Sequence, residues 1–256
     1  MSRGVVRLVV LALALSSWQC APPPAVRLGW HPHASPDQLL AMSDSTVAAL
    51  RDLTAEVRIA LRHSEAKASA SAALLYRSPD LFRIDVHGPL FTHILTALVH
   101  GDSLTVLSQG QTWQGADAGR LLARITDVYL GDYNVSYALM GLVEPGRIDP
   151  TVRIDYPRAD RAIVTLMDED DVRRRLWLDL SSGFVTGEEV AQGGAVLWRR
   201  ELKDYRLLDA GSGRGVYLPS KVRITQRDLT IDITYRSCVV NVDLEPRVLL
   251  SGIPGR

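Results

Sequence analysis

Long runs of apolar/polar alternation dominate this sequence, and alternation at period two commits a chain to strands with one dry and one wet face. Leu53, Ala55, Val57, Ile59 and Leu61 alternate with Thr54, Glu56, Arg58 and Arg62. Ala68, Ala70, Ala72, Leu74 and Tyr76 continue the pattern. So do Phe82, Ile84 and Val86, set against Arg83, Asp85 and His87. Strands are expected next at 93–99 and 104–107, the last pair hinged at Gly101-Asp102. Short turns between successive strands predict antiparallel pairing. A second series begins at Val152. It runs through 162–167, 173–180, 185–191, 195–205, 222–225, 229–235 and 239–244.

Three helices interrupt the strands. Ser35-Pro36-Asp37 is a helix start, with Ser35 as cap and Pro36 in the first turn, and Leu39, Leu40, Val47 and Leu50 supply its apolar stripe to about Arg51. Asp117–Ile125 carries Leu121, Leu122 and Ile125 at helical spacing. Tyr133–Val143 is apolar enough for another helix and stops at Glu144-Pro145-Gly146. The last two are apolar on more than one face, so both are expected to be buried. The fold class that results is α+β and mostly β: an antiparallel half-open β-barrel of about ten or eleven strands, with helices covering the mouth.

The first 36 residues stand apart. Arg3 and Arg7 precede the apolar run Leu8–Leu15, which is shorter than the roughly 20 residues a membrane span needs. It reads as a signal peptide over residues 1–19. Cys20 follows, then Ala21-Pro22-Pro23-Pro24 and a Pro-rich stretch to residue 36, the composition of an extended tether. A cysteine placed just after such a run resembles the lipidation site of bacterial lipoproteins, although Trp18 and Gln19 stand where that pattern has small residues. The resemblance implies that Cys20 carries acyl chains such as palmitate. Residues 37–245 then form one β domain, and 246–256 a C-terminal tail.

The motifs of catalysis are missing. The sequence has no Gly-x-Ser-x-Gly, His-Glu-x-x-His or Cys-x-x-Cys, and Gly211-Ser212-Gly213-Arg214-Gly215 lies between strands with no helix after it. His31 and His33 have no third ligand. Asp168–Asp171 faces Arg173-Arg174-Arg175 across a tight turn and is expected to pair with it. His63, His87, His93 and His100 read as polar surface, and Cys238 as a buried small hydrophobe. Lys+Arg and Asp+Glu both number 29. A neutral chain offers no electrostatic case for nucleic acid. No metal, no cofactor and no enzymatic activity are expected.

The order of elements resembles the LolA/LolB-like lipoprotein carrier superfamily, nearest its outer-membrane receptor branch. Phe82-Arg83-Ile84-Asp85-Val86-His87-Gly88-Pro89-Leu90 looks like that family's strand and protruding loop, and Trp113-Gln114-Gly115-Ala116-Asp117-Ala118 like its next hairpin and helix start. Leu218-Pro219-Ser220-Lys221-Val222-Arg223-Ile224 with Leu229–Tyr235 looks like its closing hairpin. The stretch from Ile148 to Arg214 is longer and more strand-rich than in that branch. The resemblance implies a periplasm-facing outer-membrane lipoprotein in lipoprotein localisation or lipid transport. Its partners would be acyl chains, the membrane holding Cys20 and a periplasmic carrier protein. Leu90 falls at the family's membrane-inserting leucine, and with Phe91 is the expected membrane contact. Ala70, Ala72, Leu74, Phe82, Ile84 and Val86 share the dry face and are the expected ligand cavity. The alternative is a structural or regulatory envelope lipoprotein of the same fold with a filled core.

Overall fold

The computed structural model describes residues 35–253, apart from 65, 90–91, 127–129, 131–132, 145–151, 168–170 and 211–214. The helix α1 (Pro36–Ala49) starts with Ser35 and Gln38 in a reciprocal capping box, as the Ser-Pro-Asp signal predicts. A first meander follows: β1 (Asp52–His63), β2 (Ala66–Arg77), β3 (Leu81–His87), β4 (His93–His100), β5 (Ser103–Ser108) and β6 (Gln111–Gly115). The helices α2 (Ala118–Thr126) and α3 (Val135–Met140) then lead to a second. It comprises β7 (Val152–Arg158), β8 (Arg161–Met167), β9 (Val172–Asp179), β10 (Phe184–Gln192), β11 (Ala195–Asp209), β12 (Gly215–Gln226) and β13 (Leu229–Val240). A short helix, α4 (Pro246–Leu250), closes the chain.

All thirteen strands described join one antiparallel sheet. Its order is β6-β5-β4-β3-β2-β1-β13-β12-β11-β10-β9-β8-β7. The two meanders meet where β1 pairs with β13, Leu53 opposite Val240 and Ile59 opposite Ile233. β6 and β7 are the free edges, so the sheet stays open, as expected of a half-open barrel. The strand count exceeds the expected ten or eleven. β6 has a short, polar sequence that no alternation announces, and β12 begins at Gly215 rather than at Val222. In the other direction, β13 is one strand where the sequence suggested two.

The inner face carries the core. Ala55 faces Leu74 and Leu74 faces Ile84; Val57 faces Ala72, and Tyr76 faces Phe82. All of these are buried in one apolar cluster with Leu39 and Leu40 of α1 and Val135, Ala138 and Met140 of α3. Gly141 ends α3 with φ +73, and a Cβ there would lie 2.6 Å from Pro219 and 2.8 Å from Val222. Only glycine lets α3 rest this closely on β12. A smaller cluster lies on the outer face, where Leu249 and Ile253 pack on Leu81 and Leu98. Arg83 fixes this C-terminal segment by donating to the carbonyls of Leu249 (3.0 Å) and Ser251 (2.5 Å), and Arg77 donates to that of Leu244.

Candidate functional site

Charged residues sit in the middle of the inner face. Arg174 on β9, Glu188 on β10 and Arg200 on β11 lie on three neighbouring strands, and the side chains of Glu188 and Arg200 are 0% exposed. The parity of β9 puts Arg174 inward with Leu176 and Leu178. On β10 a register shift between Val185 and Gly187 turns Glu188 inward. Without that bulge the residue would face out, because one extra residue flips every later side chain.

Arg200 uses all five of its N–H donors. Nε donates to Glu188 (2.7 Å), and Nη1 to the carbonyls of Tyr137 (2.8 Å) and Ala138 (3.2 Å). Nη2 donates to the hydroxyl of Tyr133 (2.7 Å) and the carbonyl of Leu142 (2.5 Å). Arg174 donates to Glu188, to the Tyr133 hydroxyl and to the Glu144 carbonyl. The two guanidinium carbons lie 5.1 and 5.2 Å from the centre of the Tyr133 ring. The arginines thus bolt the segment 133–144 to the sheet through its carbonyls, that of Tyr137 shared with the backbone N–H groups of Gly141 and Leu142.

Burial acts on every acid here. By itself it would raise Glu188, but Arg174 and Arg200 outweigh it and hold the carboxyl below its usual range. Burial pushes Glu144 up against the pull of Arg174, and the Tyr133 hydroxyl up to about 12, so the tyrosine is neutral at physiological pH.

Open space lies further along the same face. A cavity of about 850 Å³ is bounded by the ends of β1, β2, β11 and the β12–β13 turn, with Ala123 of α2 above it. Leu61, Ala66, Ala68, Val196, Leu197 and Leu229 form its apolar lining. Leu61 and Val196 are 41% and 44% exposed there. His63, Lys67, Arg227 and Asp228 also line it, His63 paired with Asp228 at 3.1 Å. The volume suits a small apolar ligand, for which pockets of about 300–1,000 Å³ are usual.

The six expected cavity residues do share the inner face. Ala72, Leu74, Phe82 and Ile84 are buried in the packed core, and Ala70 and Val86 are half-buried. The space begins at Ala68, two residues before Ala70 on β2. Cys20, His31, His33, Leu90, Phe91, Asp168–Asp170 and Gly211–Arg214 lie outside the described residues. The basic run reaches across the sheet: Arg174 goes in to Glu188, while Arg173 (3.7 Å) and Arg175 (3.8 Å) approach Glu189 on the outer face. His87 and His93, read as polar surface, are register partners with ring centres 5.9 Å apart, and His93 bonds Thr96, which donates to Asp85. Cys238 packs against the core, its thiol pushed up to about 12 by burial.

The sequence reading missed the Arg174–Glu188–Arg200 cluster, yet part of it was marked. Arg174 has the parity of Leu176 and Leu178, and Arg200 that of Trp198 and Leu202. A charge in phase with a dry face is the signal. Glu188 had no such mark, since the bulge that turns it inward has no clear sequence signature.

No family model and no curated protein matches the chain. Solved structures do resemble it. A DUF1329 family protein from Desulfovibrio piger superposes with TM-score 0.57 at 11% identity, covering 82% of this chain and 96% of its own. A LolA superfamily protein from Nitrosomonas europaea gives 0.55 at 14% identity, over 84% and 97%. A putative outer membrane lipoprotein-sorting protein domain from Vibrio parahaemolyticus gives 0.53 at 10%, over 82% and 95%. Matched over most of its length by these three, the chain has the LolA-like fold.

Proposed function

We propose that this chain is a non-enzymatic, membrane-anchored lipoprotein of the bacterial envelope that takes an acyl chain into the cavity beside Ala68 and Leu197. The observation that carries this reading is the cavity itself: about 850 Å³ of space whose walls hold Leu61, Ala68, Leu197 and Leu229 beside His63, Lys67, Arg227 and Asp228, open at Leu61 and Val196. Each acyl CH₂ moved there from water gains about 0.8 kcal/mol without any polar chemistry. The fold shared with a LolA superfamily protein and a putative lipoprotein-sorting domain supports a role in lipoprotein localisation or lipid transport. Cys20 is the proposed anchor, in the outer membrane facing the periplasm. Leu90 and Phe91 are the proposed membrane contact, and a periplasmic carrier protein the proposed partner.

A structural or regulatory envelope lipoprotein is the competing reading. It is favoured by the packed centre of the inner face, where Ala72, Leu74 and Phe82 are buried in one apolar cluster with residues of α1 and α3. Mass analysis of lipid extracted from the purified chain separates the two. Acyl lipid in wild type, reduced in Ala68→Trp, supports the carrier. Lipid-free protein at native stability supports the scaffold.

A further inference from the structure

We infer that the fork where β12 and β13 part binds a phosphate oxyanion, free or at the head of a lipid. Pairing between these strands covers only half their length: it runs from Gln226–Leu229 to Lys221–Thr234 and stops there. Past that point β12 stays with β11, Arg206 opposite Leu218, while β13 stays with β1 as far as Val240. β13 also carries a bulge here. Val57 pairs with Tyr235 and Glu56 with Ser237, so Arg236 has no partner on β1. An extra residue of this kind bends a strand and re-aims its side chains. The fork holds a space of about 100 Å³, bordered by Arg206, Ser220, Tyr235, Arg236, Ser237 and Cys238. None of these six lines the acyl cavity, which lies at the opposite end of the two strands, around the turn that joins them. The inference therefore goes beyond the acyl-binding reading and does not depend on it.

The chemistry of this border is one-sided. Guanidiniums only donate, the three hydroxyls can donate, and among the described residues no carboxylate lines the space. Burial pushes the Cys238 thiol up to about 12, so it stays protonated and adds no negative charge. Both arginines are exposed, and neither is ion-paired to a described carboxylate. Asp204, on the same strand as Arg206, is taken by Lys221 at 2.7 Å. Tyr235 is only 6% exposed, yet its hydroxyl has no hydrogen-bond partner. The hydroxyls of Tyr76, Tyr133 and Tyr205 are all bonded. A buried hydroxyl left alone costs free energy and calls for an occupant. A water would serve the hydroxyls but brings no charge to the two arginines. A tetrahedral oxyanion brings acceptors and charge together, and a guanidinium fork takes it in two-point fashion. The space is well below the about 300–1,000 Å³ usual for whole drug-sized ligands, so only a head group would enter.

The test titrates the isotope-labelled full chain, carrying Cys20→Ser, with inorganic phosphate and with dihexanoyl phosphatidic acid, each against chloride at the same ionic strength. Amide signals of Ser220 and of residues 235–238 should shift and saturate. Arg206→Gln combined with Arg236→Gln should weaken binding about tenfold or more, the scale of a charge-assisted hydrogen bond. Melting should not change, because both side chains are exposed. Tyr235→Phe should also weaken binding, yet melt no lower than wild type in phosphate-free buffer, where its hydroxyl has no partner. Ala68→Trp should leave inorganic phosphate binding untouched. Tighter binding of the phosphatidic probe, lost in the double arginine variant, assigns a lipid head to the fork; equal binding assigns free phosphate. No saturable shift with either probe, or unchanged affinity in the double arginine variant, overturns the inference and leaves the acyl reading as it stands.

Discussion

Nη2 of Arg200, on the sheet, lies 2.7 Å from the hydroxyl of Tyr133, on the segment that covers it. The same hydroxyl accepts from Arg174 (3.3 Å) and from the Glu144 backbone (3.2 Å), so one oxygen joins both arginines to both ends of the covering segment. Tyr133→Phe keeps the ring between the guanidiniums and removes that joint. It should cost about 1–3 kcal/mol, because buried donors are left unpaired. It should also change the alkaline limb of stability. Burial raises this tyrosine from 10 to about 12. A raised group stabilises fully below its unfolded pKa, and that contribution is lost as pH climbs from about 10 to about 12. Denaturant midpoints across that window should fall less steeply in the variant.

Glu188 has the opposite sign. Its folded pKa lies below its unfolded value, ~4.3, so its contribution is complete above that pH and drains away as pH falls through it. Glu144, raised by burial, opposes this: its contribution is present below the unfolded value and lost as pH rises through the folded one. Glu188→Gln leaves two buried arginines without a carboxylate on the sheet and should cost about 3–5 kcal/mol at neutral pH. Urea melts should show that cost at pH 7, with a flatter acid limb below about pH 4.5 than in wild type.

Two alanines on the dry face of β2 should answer a tryptophan differently. Ala72 is buried opposite Val57 and Val86, so Ala72→Trp overfills a closed core and should lose about 1–3 kcal/mol or more. Ala68 borders open space, so Ala68→Trp should melt like wild type and block ligand uptake. Equal destabilisation of both would mean that the cavity wall is as tightly packed as the core.

Most of the sheet was legible because alternation survives wherever one face is buried. Leu53–Leu61, Ala68–Tyr76 and Phe82–Val86 sit in the strands and on the face that their parity demands. The helix at Ser35 was legible from its cap. Parity alone does not say where a face is filled, and so the expected cavity residues and the observed space differ by a few residues along β2. The ionic cluster depends on the bulge beside Thr186 and on α3 ending above Arg200. Both are relations between distant segments that periodicity does not encode. The outer-face docking of 244–253 was hidden for the same reason: Leu249 and Ile253 find Leu81 and Leu98 only once β3 and β4 are paired.

That docking makes residues 246–253 part of the fold rather than a loose tail. Burying a leucine or isoleucine is worth about 1.5–3 kcal/mol. Ending the chain after Glu245 removes Leu249 and Ile253 and strips Arg83 of the carbonyls of Leu249 and Ser251. Thermal melts should show a loss of about 3 kcal/mol or more, and hydrogen exchange should rise in β3 and β4. A truncated chain that melts like the full one would show the segment to be dispensable.

The central claim is that an acyl chain lies at one end of the inner face, between α2 and the ends of β1, β2 and β11. Photo-crosslinking with a diazirine-bearing acyl probe, followed by peptide mapping, tests it most directly. Labels should fall on Leu61–Ala68, Ala195–Leu197 and Gln226–Leu229, and should vanish in Ala68→Trp. Labels confined to other surfaces, or a labelling pattern indifferent to Ala68→Trp, would contradict the claim.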